Sequence, residues 1–241
     1  MPNEKPRKGD SVVFFDIETL PALPDDPLWL HLQESGLGPP PEERMLTALN
    51  APLGRVWMIG WAPGNSPPEI ISGDGSPESE EGVLRHFWEC LEPVLRESSP
   101  GGPWWVGYNI SGFDLAFLQV RALKWGMPHL AAALGKSTQK PWERREIDLA
   151  KIWPRTGADR RTKGMAKLDT VCRLLGIPHQ PGLGPDGEGV PMGPDVPRLW
   201  EEARASGDPE EAQRARRGVE EHLRLDVLQV RELFKRLWHL M

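Results

Sequence analysis

The run SVVFFDIE, residues 11–18, constrains this chain more than any other stretch of its length. Its β-branched and aromatic residues, with no turn former among them, predict a buried strand. Side chains alternate along a strand, so Val12, Phe14, Asp16 and Glu18 share one face, with the two acids about 6.6 Å apart at Cα. A face built for burial that carries two carboxylates has two explanations. Either the strand end emerges into solvent, or the face belongs to a site that needs both charges.

The C-terminal part of the chain repeats the anomaly. Val219, Leu223, Asp226, Val230, Leu233 and Leu237 recur at intervals of four and three, the seam of a helix laid against a core, with Asp226 in its middle. An ionised carboxylate there is costly unless paired, hydrogen-bonded or metal-bound. The pairing candidates Arg224 and Arg231 project from other faces of the helix, and His222 lies one turn before the acid on its own side. Asp114 opens a helix predicted over 113–126. An acid in a first turn is commonly no more than a favourable partner of the helix dipole, but this one shares the face of Phe117, Leu118 and Arg121. Carboxylates that converge in a low-dielectric site repel one another until some protonate or cations bind. Oxygen ligands with few histidines favour Mg²⁺ or Mn²⁺ over Zn²⁺.

The remaining pattern suits one α/β domain spanning residues 1–241. Strands are predicted at 55–62, 68–73 and 104–109, and helices at 77–96, 113–126, 165–177, 197–206 and 209–240. Residues 20–53 are a Pro-rich connection too long for an ordinary loop, expected to be an insertion, lid or surface wrap. Residues 136–164 read as basic and irregular, and 180–197 as a Gly/Pro loop. No apolar run reaches the ~20 residues of a membrane span. The charged start MPNEKPRKGD has no apolar segment behind it. Cys90 and Cys172 lack CxxC spacing, which argues against a disulfide framework or a thiolate zinc site and for a reducing, cytoplasmic setting.

Three motifs then align. Phe15-Asp16-Ile17-Glu18-Thr19, the run NISGFD at 109–114 and the run HLRLD at 222–226 resemble, in order, the three motifs of the DEDD superfamily of 3′→5′ exonucleases. FDIETLP, LNAPLGRVWMIGW, REIDLAKIW, KLDTVCRLLGIP, the DGEGV loop and RLDVLQVRELF are similar to the predicted exonucleases related to the proofreading domain of family-B DNA polymerases. The resemblance implies an RNase H-like fold, a mixed sheet flanked by helices. It implies hydrolysis of phosphodiester bonds at the 3′ end of single-stranded DNA or frayed DNA ends, with release of nucleoside 5′-monophosphates. Asp16, Glu18, Asp114 and Asp226 would hold two divalent cations, Mg²⁺ or Mn²⁺. By matching position, Thr19 and Leu20 would line the terminal nucleotide, and Asn109 and Phe113 would flank it. Asn109 has an alternative reading as a turn residue, and Phe113 as a core residue. Asp148, in the IDL run, reads as a cap or as a site residue. RNA is the alternative substrate, and a catalytically weak nucleic-acid-binding module the alternative class.

One position departs from the pattern. Where one branch of the superfamily has tyrosine four residues before the last Asp, this chain has His222. The sole tyrosine, Tyr108, belongs to the second motif. Imidazole titrates near ~6.5 and suits a general base, so His222 is the candidate for that role.

The net charge of −6 argues against a protein that grips polyanions by bulk charge. The charge is unevenly spread. Residues 136–173 hold 11 Lys and Arg against 5 Asp and Glu, a net +6, which leaves −12 for the rest of the chain. Arg160, Arg161, Lys163 and Lys167, in a stretch that also carries Trp142 and Trp153, are the candidates for backbone phosphate contact, the alternative being a solvated loop.

Overall fold

In the computed structural model β1 (Val12–Leu20) sits between β2 (Arg55–Pro63) and β4 (Trp104–Gly107), with β3 (Glu69–Ser72) beyond β2 and β5 (Glu146–Asp148) beyond β4. β1 pairs antiparallel with β2, and β2 with β3; β1 pairs parallel with β4, and β4 with β5. The structure describes residues 5–7, 9–99, 101–134, 145–153, 167–178 and 196–240. Among these the helices are α1 (Pro27–Glu34), α2 (Pro77–Glu97), α3 (Asp114–Lys124), α4 (Pro128–Leu134), α5 (Leu149–Ile152), α6 (Leu168–Leu174), α7 (Val196–Ala205) and α8 (Pro209–Leu237).

The alternation predicted for β1 divides the core in two. Phe15, Ile17, Trp61 and Trp105 face α2 and α3, where they pack with Leu84, Phe87, Phe117 and Leu118. Phe14, Ala62 and Val106 face α8 and meet Val227, Val230, Leu233 and Phe234. Asp16 and Glu18 share the parity of Phe14 and therefore lie on the α8 side. Helix α8 comes very close to the sheet here. Gly60, the β2 residue paired with Asp16, would place a Cβ 2.7 Å from Leu223 Cγ, so a glycine is what lets the helix in.

The pairing steps from Glu18–Met58 to Thr19–Val56, which makes Trp57 the extra residue of a β-bulge beside the acids. Leu20, beyond the bulge, is packed among Trp57, Trp200 and Leu223.

Residues 20–53, expected to be an insertion, lid or surface wrap, contain two helical segments. Pro27 begins α1, and Pro41 begins a 3-10 helix (Pro41–Leu49), so prolines that read as loop formers occupy first-turn positions where no N–H is needed. Asp26 caps α1 through the amides of Leu28 and Trp29, and Trp29 is buried against Ala22 and Leu53. Thr19 Oγ1 donates to the Ala48 carbonyl at 2.7 Å, and Arg44 pairs with Glu201 of α7. The segment is tied down at both ends and in its middle.

Two further differences follow from short elements. β5 and α5 arise within the stretch read as irregular, and α4 follows α3 after Gly126 and Met127. Three strand residues and seven helical ones are too few for periodicity to register. Glu80 is in the acidic first turn of α2, as the run SPESEE predicts, and is also in the core. It pairs with Arg121 at 2.6 Å and accepts from the Val56 amide and Trp125 Nε1, with both charged side chains 1 % exposed.

Candidate active site

The C-terminal half of β1 delivers Asp16 and Glu18 to one wall of a cleft of about 410 Å³. α8 delivers His222 and Asp226 to the facing wall. Thr19, Tyr108, Phe113, Lys167 and Asp169 line it too, with Met45, Leu46 and Leu49 of the 3-10 helix at its rim. Asp114 lies behind Asp16, 3 % exposed, where its Oδ1 accepts the Ile17 amide at 3.3 Å.

What holds Asp114 there is the turn before α3. Asn109 has φ +63°, a left-handed conformation that asparagine tolerates better than most residues. Its carbonyl accepts from the amides of Gly112 and Phe113, and its own amide donates to Asp148 Oδ1 at 2.9 Å. Asp148 also caps α5 through the Ala150 amide. One carboxylate at the end of β5 thus fixes both the second-motif turn and the helix that follows β5.

The four motif acids are held against their own charge. Burial raises Asp16 well above the usual carboxylate range, and Asp226 and Glu18 raise it further. Burial, then Asp226 and Asp114, does the same to Glu18. Asp114 is raised by burial and by Asp16, to which it is hydrogen-bonded. Asp226 is pushed up to about 7 by burial and by Asp169. His222 is lowered by burial, against the opposing pull of Asp169, and so is neutral at neutral pH. Carboxylates that cannot all ionise together are what a set of hard oxygen ligands looks like without its cations. The donor chemistry therefore fits divalent ions of the Mg²⁺ or Mn²⁺ kind. Asp226 meets neither Arg224 nor Arg231, which bond the carbonyls of Pro68 and Ser66.

A family model described as a predicted 3′-5′ exonuclease related to the exonuclease domain of PolB matches residues 61–206. The chain belongs to that family. The matched span includes Asn109, Phe113 and Asp114 and leaves out Asp16, Glu18 and Asp226. A curated relative, the uncharacterized protein MJ0365 of Methanocaldococcus jannaschii, is 32 % identical over 191 residues, 78 % of this chain and 89 % of the relative. Among solved structures, the family B DNA polymerase of the hyperthermophilic archaeon Pyrobaculum calidifontis superposes with a TM-score of 0.57 over 95 % of this chain, at 20 % identity. The chain spans only 24 % of that polymerase. At that identity the likeness is one of fold, and it agrees with the mixed sheet flanked by helices of the RNase H-like class.

The residues predicted around the terminal nucleotide separate. Thr19, Phe113 and Lys167 line the cleft. Leu20 does not; α7 and α8 cover it, and it is 2 % exposed. Asn109 serves the turn. Phe113 does both, its ring 5.2 Å from that of Phe117 while the residue lines the cleft. Arg160, Arg161 and Lys163 lie outside the described residues. Of the basic stretch that is described, Arg145 is spent on Ser99 and the Gly102 carbonyl, and Lys151 Nζ sits 3.2 Å from Asp148. Asp169 and Tyr108 line the cleft as well, neither of them predicted as a site residue. Tyr108 had a signal, since it follows the end of a parallel strand, where such sheets open onto their sites. Asp169 had none, being one acid in a short helix. No described helix is long and apolar enough to cross a membrane.

Proposed function

We propose that the protein is a metal-dependent 3′→5′ exonuclease that removes nucleoside 5′-monophosphates from single-stranded or frayed DNA ends. The observation that carries this reading is the convergence of Asp16, Glu18 and Asp226 at one cleft, with Asp114 behind Asp16 and every one of the four raised above the carboxylate range. These four would hold two divalent cations. Such ions, when bound, lower the pKa of an attacking water and neutralise the leaving 3′ oxygen.

The chain's own residues supply the rest. His222, neutral and facing Asp226, takes the proton of the attacking water at Nε2. Asp114 is anchored by the Ile17 amide, so its position does not depend on solvent. Phe113 with Leu46 and Leu49 gives the terminal base an apolar surface, the two leucines being 57 % and 64 % exposed. Lys167, exposed at the mouth, faces the backbone phosphates. Arg160, Arg161 and Lys163, outside the described residues, are further candidates for phosphate contact, and such contacts make binding weaken as salt rises.

The test is digestion of 5′-labelled single- and double-stranded DNA and RNA with Mg²⁺ or Mn²⁺. Shortening from the 3′ end with release of 5′-monophosphates, reduced about 10²-fold or more in Asp16→Asn and Asp226→Asn, is the expected result. Equal rates in those variants would remove the site assignment. Faster digestion of RNA would move the substrate to RNA, and no digestion with either ion would leave binding without cleavage.

A further inference from the structure

On the face of the sheet opposite the acid cleft, β3 and α2 bring together Glu69, His86 and Cys90, one ligand atom from each lying within 4.8 Å of the other two. Glu69 pairs with Trp61, whose ring packs edge-on against Phe87 of α2 at 5.7 Å, while its neighbour Ile70 packs toward α8 with Leu223. His86 and Cys90 are four residues apart on α2, so they rise from one side of the helix. We propose that Glu69, His86 and Cys90 form a site for one transition-metal dication of the zinc class, which clips the edge strand β3 to α2.

The donor set decides the class of ion. Thiolate, imidazole and carboxylate together suit Zn²⁺ or its spectroscopic substitute Co²⁺ and are poor ligands for Mg²⁺. The separation is close to what such an ion needs. Bond lengths of about 2.3 Å to sulfur and about 2.1 Å to oxygen put those two ligand atoms about 3.6 Å apart in a tetrahedral shell. Cys90 Sγ lies 3.9 Å from Glu69 Oε1, so a small side-chain rotation closes the shell. Burial, and then Glu69 and Glu89, push the Cys90 thiol up. It is therefore protonated until an ion arrives, and binding releases that proton to solvent. The same two carboxylates make the local field favourable to a dication. Glu69 and His86 are exposed and Cys90 is half-buried, so an ion has a path in, and the fourth position stays open to water.

The site escapes a reading based on cysteine spacing because its ligands come from a strand and from a helix that begins after it. Its consequence is mechanical. β3 is a four-residue edge strand at the end of the sheet order, held on its inner side by β2. A metal crossing from Glu69 to α2 fastens it to the helix layer and leaves the acid cleft untouched.

The experiment is a Co²⁺ titration of the full-length protein after chelation, followed by absorption in the thiolate-to-metal charge-transfer region and in the d–d region. Wild type is expected to give both features at one equivalent, and Mg²⁺ in excess is expected to leave them in place. Cys90→Ser abolishes the charge-transfer feature. His86→Ala, a change at an exposed side chain that the fold tolerates, weakens Zn²⁺ binding by about tenfold or more. Cys172→Ser leaves both measurements unchanged. Absence of a charge-transfer feature in wild type, or its loss in Cys172→Ser with retention in Cys90→Ser, overturns the assignment, as does unaltered Zn²⁺ affinity in His86→Ala.

Discussion

His222 Nε2 lies 3.4 Å from Asp226 Oδ2, one turn away on α8. The acid in the middle of the helix seam thus faces an imidazole, and burial keeps that imidazole neutral in the range where nucleases work. If His222 receives the proton of the attacking water, the rate rises with pH through its lowered titration and then levels. His222→Ala is expected to lose about 10²-fold in kcat and to lose that acid limb, whereas His222→Tyr moves it. The pH–rate profiles of the three proteins are the measurement. An unchanged profile at an unchanged rate assigns His222 to packing.

The raised acids carry a stability consequence of definite sign. A carboxyl whose folded pKa exceeds its unfolded value keeps its proton longer in the native state. The fold then loses stability as pH rises from the ordinary carboxylate value through the folded one. For Asp226 that window runs from 3.8 to about 7, and Asp16, Glu18 and Asp114 act in the same direction. His222 opposes them below its usual value, because its lowered pKa makes protonation destabilising. With three further acids acting alongside Asp226, metal-free protein is expected to melt at a lower temperature at about pH 8 than at about pH 5. Mn²⁺ restores the loss, and Asp226→Asn raises the metal-free melting temperature at about pH 8 while abolishing cleavage. Calorimetry across pH with and without Mn²⁺ checks both statements.

Gly60 controls how closely α8 approaches β1. A valine there meets Leu223 and Val227 and forces the helix outward, at a cost of about 1–3 kcal/mol. Because Asp226 and His222 ride on that helix and Asp16 does not, cleavage is expected to fall further than the fraction folded. Urea melts and Mn²⁺-dependent cleavage of Gly60→Val separate the two effects.

These residues also mark where a sequence is readable. Asp16, Glu18 and Asp226 stood out because period two and period 3.6 placed charge on faces that neighbouring residues declared apolar. Periodicity carries no information about which distant side chain answers a charge, so Glu80 was legible as an acid in the first turn of α2 but not as the partner of Arg121 on another helix. Asn109 was legible as part of a motif, but its left-handed backbone and its bond to Asp148 depend on β5, three residues that leave no pattern. The prolines at 27 and 41 look alike in a loop and in a first helical turn, and only burial of Trp29 and the Arg44–Glu201 pair distinguish the two.

Glu80→Ala tests the core pair directly. The change leaves Arg121 charged and fully buried and deprives the Val56 amide and Trp125 Nε1 of their acceptor. A loss of about 3–5 kcal/mol in unfolding free energy is expected. Cleavage per folded molecule is expected to be nearly unchanged, since Glu80 lies on the α2 side of the sheet and the acid cleft on the α8 side. Chemical denaturation and activity at a temperature where the variant is still folded are the two readings.

The acids on β1 and the acid on α8 are far apart in sequence, and the cleft exists only where the two elements touch. During synthesis the strand emerges well before the helix and waits for it. On the proposed chemistry a nascent chain is therefore harmless to nucleic acids, and it acquires cutting power in the same event that completes its core. On that chemistry, a copy that stops before α8 lacks Asp226 and His222 and has no complete site.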